Sequence, residues 1–73
     1  MKQKVVAIAI SPDGGNVVVF KASKTVASVI ILRGKKKIEV LEFKKDPQKE
    51  TPEEFIKGEI RKYRDGGWKI FIV

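Results

Sequence analysis

The chain has 73 residues, with 16 Lys and Arg against 9 Asp and Glu, a formal charge of +7, and neither cysteine nor histidine. That inventory excludes disulfides, thiolate clusters, the usual zinc sites and Ser-His or Cys-His catalysis, leaving carboxylates and lysines as the only strong chemistry. The length fits one domain, residues 1–73, and a chain this short buries only about 60% of its unfolded surface, so partners or self-association would add to its stability.

Met1-Lys2-Gln3-Lys4 leads into a strand-like stretch, not into a signal peptide, and every apolar run falls far below the roughly 20 residues of a membrane helix. The expectation is a cytoplasmic protein with no membrane partner. Val5-Val6-Ala7-Ile8-Ala9-Ile10 is short, β-branched and continuously apolar, as in a central strand covered on both faces. Ser11-Pro12-Asp13-Gly14-Gly15 stops it: proline presets φ for the second turn position and glycine accepts positive φ, so a type I turn with a glycine bulge leads into Val17-Val18-Val19-Phe20. Gly14-Gly15 precedes a strand, not a helix, and no G-x-x-x-x-G-K pattern occurs, so a phosphate loop is not expected beyond a small backbone anion nest at Asp13–Asn16.

Lys21 to Thr25 is a bend or single helical turn before the apolar run Val26 to Leu32, and Arg33-Gly34-Lys35-Lys36 is the next turn. The strand from Lys37 to Phe43 alternates at Ile38 and Val40 and then changes phase at Leu41 and Phe43, which predicts a bulge or a switch of face near Leu41. Lys44 to Glu50 is a charged connection. Thr51 as N-cap, Pro52 at the first helical position and Glu54 three residues after the cap specify a helix start. Phe55, Ile56, Ile60 and Tyr63 give it an apolar face, Gly58 marks close packing on a sheet, and Asp65-Gly66-Gly67 ends it. Trp68 to Val73 is a last short strand. The order is three or four strands, a helix, then a strand. A right-handed crossover through the helix predicts Lys69–Val73 beside Val5–Ile10 and parallel to it. The fold class expected is α/β, a small mixed sheet of four or five strands, hairpins first, with one helix between the last two.

Residues 5–43 are similar to one WD-type propeller blade, with SPDG at its turn, but a propeller needs several blades and here a helix follows one. A second resemblance spans the whole chain. AIAISPDGG, then Phe20-Lys21-Ala22-Ser23, an apolar strand, RGKKKIEVLEFKKDP with Asp46-Pro47, a capped helix and DGGWKIFIV fall in the order of the dinitrogenase iron-molybdenum cofactor biosynthesis family, the NifX and NifB C-terminal type. The resemblance implies a ribonuclease H-like fold and a cofactor-carrying or assembly role. It also implies truncation, since that family continues with another helix-strand unit. The residues themselves supply no histidine or cysteine for an iron-sulfur-type group, so no resident cofactor or metal is expected.

Two-metal phosphodiester cleavage needs carboxylates clustered on the first strand, the helix and the last strand. Only Asp13 lies near the first strand, the helix offers Glu53, Glu54 and Glu59, and the last strand has none, so no enzyme is expected. The function expected is a non-catalytic binding or assembly domain. Its rival is non-specific nucleic-acid binding through Lys21, Lys24, Lys35, Lys36, Lys37, Lys44 and Lys45. Base stacking platforms are scarce in that reading, because the aromatics mostly sit beside apolar neighbours at core-like positions and only Trp68, just after Gly66-Gly67, is expected to be partly exposed. Thirteen of the sixteen cations are lysine, beside one Met, one Asn and two Gln, which is also the composition of a heat-adapted surface. Finally, Ile70-Phe71-Ile72-Val73 lacks the charges and prolines that protect an edge strand, which predicts a homodimer joined through this C-terminal strand.

Overall fold

The SPDGG turn closes the first hairpin with its own side chains. Ser11 and Asn16 pair through Ser11 N–H to Asn16 O at 3.0 Å, Gly14 N–H donates to Ser11 O at 2.9 Å, and Gly14 takes φ 78°, as the predicted type I turn with a glycine requires. The computed structural model describes residues 3–42 and 50–73. In chain order they form β1 (Lys4–Ile10), β2 (Asn16–Ala22), β3 (Ala27–Arg33), β4 (Lys36–Glu42), α1 (Pro52–Asp65) and β5 (Lys69–Ile72). The strands make one sheet in the order β4-β3-β2-β1-β5.

Cross-strand partners share a face, so the pairing assigns every side chain to one of two sides. Ala7, Phe20 and Val29 are partners in one row, Ala9 and Val18 in the next, and Ala22 pairs with Ala27. All seven are buried, together with Ile56 and Ile60 of α1, so this is the helix side. Alanines at positions 7, 9, 22 and 27 let the helix approach, and Phe20 fills the space between them.

Both helix ends follow the sequence signals. Thr51 Oγ1 accepts from Glu54 N–H at 3.2 Å and donates to Glu54 Oε1 at 3.2 Å. At the other end Gly67 N–H reaches Arg64 O and Trp68 N–H reaches Tyr63 O, the Schellman pattern, with Gly67 at φ 89°. The Trp68 ring meets Tyr63 edge-on at 4.8 Å, and Tyr63 meets Phe20 in the same way at 5.8 Å. Trp68 is therefore partly exposed, as expected, with one side of its ring against the core.

The sheet differs from the expected mixed arrangement in one direction. β5 does lie beside β1, but antiparallel, Ile10 opposite Lys69 and Ala7 opposite Ile72, so the whole sheet is antiparallel. Parity is the reason. Residues 36–42 form a strand of their own, so the fourth strand ends where β1 begins. There Thr51, Pro52 and Glu53 stand beside Lys4, Val6 and Ala22. The helix runs back along the sheet and releases β5 at the far end, where a Cβ at Gly67 would stand 3.8 Å from Pro12 Cγ. Three strands before the helix would give the parallel neighbour; four give an antiparallel one.

Two smaller expectations also change. The bulge in β4 falls at Ile38, since Glu39 pairs with Ile31 and Lys37 with Leu32, so Val40 and Leu41 simply point to opposite sides. Gly58 is exposed, and a Cβ there would meet nothing within 4 Å, so it marks no close packing.

Candidate functional site

The side of the sheet away from α1 is the most unusual surface of the molecule. Following the pairing across all five strands, Phe71, Ile8, Val19, Ile30 and Val40 form one unbroken apolar row. The row on one side of it reads Lys69, Ile10, Val17, Leu32 and Lys37, apolar at the centre with a lysine on each outer strand. On the other side Val5, Lys21, Ser28 and Glu42 make a mixed row. Among the described residues no helix or strand lies over this open face. Its outer members, Val5, Val40 and Phe71, are exposed, and Ile8, Ile10, Val17, Val19, Ile30 and Leu32 are half-buried, largely by one another.

The local reason lies in β1. Ala7 and Ala9 point to the helix, whereas Ile8 and Ile10 point to the open face. The central strand thus carries its large side chains on the side the chain leaves uncovered. A central strand apolar on both sides belongs to a sheet with two covering layers, and α1 supplies one.

Among the described residues, the lysines named from the sequence, Lys21, Lys24, Lys35, Lys36 and Lys37, do not form a single stripe. Lys35, Lys36 and Lys37 are exposed at the β3–β4 turn and the start of β4, but Lys36 pairs with Arg33 and Lys37 with Leu32, so these two face opposite sides. Lys21, opposite Ser28, stands at the other end of the sheet, about 13 Å along β3 from the level of Lys37. Lys24 lies beyond it in the Ser23–Val26 loop, where the Ser23 hydroxyl accepts from the amides of Thr25 and Val26. Lys44 and Lys45, like Phe43 and Asp46-Pro47, lie outside the described residues. Lys21, Lys37 and Lys69, the last not among the lysines named from the sequence, face the same side but stand apart, on β2 and on the two outer strands.

The anion nest expected at Asp13–Asn16 is filled from within. Asp13 Oδ1 accepts from Gly15 N–H at 2.9 Å and from the Ser11 hydroxyl at 2.6 Å, while Ser11 Oγ accepts from Asn16 N–H at 3.0 Å. The Ser11 hydrogen bond, then the Gly15 amide, hold the Asp13 carboxyl below the ordinary aspartate range. The amides that would cradle an anion are already taken within the turn: Gly15 N–H by the Asp13 carboxylate, Asn16 N–H by the Ser11 hydroxyl and Gly14 N–H by the Ser11 carbonyl.

A groove of about 730 Å³ opens between the start of α1 and the ends of β1 and β2, walled by Val6, Ala22 and Pro52, with Lys4, Lys24 and Glu53 at its rim. Its charges are mixed and do not converge on one point. Among the described residues no three carboxylates come together as metal ligands, and no helix is long and apolar enough to cross a membrane.

The four C-terminal residues named as a dimer edge are divided by the pleat. Ile70 and Ile72 share the helix side with Ala9 and Ala7, whereas Phe71 belongs to the open face opposite Ile8. Val73 N–H donates to Val6 O at 3.1 Å, and the outer edge of β5 has no partner strand among the described residues. No family model matches the chain, and no curated protein or solved structure matches it.

Proposed function

We propose that the protein is a non-catalytic binding or assembly module whose working surface is the open face of its sheet. The observation that carries this reading is the row Phe71, Ile8, Val19, Ile30 and Val40, apolar across five strands and uncovered among the described residues. An apolar patch of this extent, rimmed by polar side chains, is how a soluble domain marks a protein interface. From the resemblance to the cofactor-biosynthesis family the reading keeps only the assembly character.

Nucleic-acid binding is the second reading, favoured by Lys21, Lys37 and Lys69 facing the same side. Sheets that bind single strands place aromatic rings on their central strands, and here those positions hold Ile8, Val19 and Ile30. Aliphatic side chains suit a protein surface, and the exposed ring in the row, Phe71, stands on the outermost strand β5.

Neighbouring residues on opposite sides of β2 test the reading in a chain that has no cysteine of its own. In a dilute sample sedimenting as a monomer, the thiol of half-buried Val19→Cys should alkylate far faster than that of Val18→Cys, whose position is fully buried. Equal protection of both in the monomer would mean the chain covers its own face, and the reading would fail.

A further inference from the structure

Resting on that reading, we infer that the occupant of the open face is a second copy of the chain, packed sheet on sheet about a twofold axis that runs across the strands. Area is the first argument. Four strands about 24 Å long and the four-residue β5, about 13 Å long, spaced about 4.8 Å apart, give a face of roughly 520 Å², so two copies cover about 1,050 Å². That reaches the roughly 1,000 Å² at which specific interfaces begin. Pairing through the outer edge of β5 would join only one four-residue strand and leave the apolar row in water.

Charge selects the axis. Two sheets can pack face to face about a twofold axis along the strands or across them. An axis along the strands sets β4 over β5, which brings Lys37 over Lys69 of the second copy and repeats the like-charge contact by symmetry. An axis across the strands, centred on the apolar row, lays that row on itself and exchanges the two flanking rows. Lys37 then stands over Glu42 of the second copy, twice. Both side chains are exposed at the outer strand, where such pairs set register more than affinity. Within one chain they lie at opposite ends of β4, opposite Leu32 and Ser28, so a coupling between them must pass between copies.

Sedimentation of the full chain at micromolar concentration tests this, with circular dichroism as the folding control. The unmodified chain should be a dimer and Ile30→Lys a folded monomer. A monomeric wild type, or a dimer that survives Ile30→Lys, overturns the proposal; the second outcome points to the β5 edge, three strands away. Because Ile30→Lys is a half-buried change, charge reversals at exposed positions provide the independent check. Lys37→Glu lowers the net charge and would tighten the dimer if overall repulsion were all that mattered. The proposed axis makes it weaken the dimer by about tenfold. Glu42→Lys should weaken it as well, and the double reversal should restore it; failure of that rescue overturns the axis. A wild-type monomer whose Val19→Cys thiol labels fast removes the second copy and leaves the docking face standing, whereas a slow thiol in a monomer removes both.

Discussion

Lys37 and Glu42 are five positions apart on β4 and face the same side of the sheet, an arrangement that an unbroken strand forbids. The extra residue at Ile38 makes it possible, because the bulge restores an even step between them. Ile38 itself is 53% exposed and contributes little to the core. Its deletion closes the β3–β4 ladder while keeping Lys37 and Glu42 on the open face. Thermal denaturation of the deletion variant should therefore show a loss well below the 2–5 kcal/mol, roughly, of a large-to-small core change.

The two sides of the sheet should respond differently to truncation in the dissociated monomer. Phe20 is fully buried and meets Tyr63 edge-on. Phe20→Ala should cost about 3–5 kcal/mol, whereas Val40→Ala, on the exposed end of the open row, should cost less than about 1 kcal/mol. Urea titration of dilute protein measures both. Comparable losses would place the core on both sides of the sheet within one chain.

Gly58 sits in the middle of α1, exposed, with open space where a Cβ would be. Gly58→Ala should raise stability by about 0.5–1 kcal/mol through helix propensity alone. A loss in the same titration would show that some neighbour needs the missing side chain.

The SPDGG turn links stability to acid. Its bonds from Ser11 and Gly15 lower the Asp13 pKa in the folded state, so the folded protein prefers the carboxylate. The sign follows: the contribution is present above the ordinary aspartate value, near pH 4, and is lost as pH falls through the folded value. Asp13→Asn should flatten the stability profile below about pH 4 and leave it parallel to wild type above. Ser11→Ala, which strands the Asn16 amide as well, should cost about 1–2 kcal/mol at neutral pH.

Most of the element order was legible because its signals are local. The proline and glycines of the first turn, the Thr51-Pro52-Glu54 helix start and the Gly66-Gly67 stop each act through the backbone within a few residues, and each appears where the chemistry puts it. The direction of β5 depends on a count that was legible, since Lys37 to Phe43 reads as a fourth strand. The crossover rule misdirected the expectation, because it relates strands that a helix joins directly, and α1 joins β4 to β5, not β1 to β5. The bulge position was hidden for a different reason. Ile38, Val40 and Leu41 are all apolar, so the pattern does not show which of them lies between paired residues.

The candidate surface was only half legible. Val5 to Ile10 reads as a strand covered on both faces, whereas among the described residues α1 covers only one. The alternation Ala7, Ile8, Ala9, Ile10 carried the missing signal: small residues mark the side a helix approaches, large ones the other. The lysine cluster misled because residues adjacent in a turn diverge once β4 begins, Lys36 to one side and Lys37 to the other.

Net charge gives the account its most direct test. Two copies at +7 each repel, so salt should strengthen an association driven by apolar burial, whereas salt weakens binding to a polyanion. Sedimentation equilibrium of the unmodified chain at about 0.05 M and about 0.5 M salt reads the sign. A dimer whose dissociation constant falls or holds as salt rises is expected; a chain that stays monomeric at both salts, or a dimer that salt dissociates, rules out association through the apolar face.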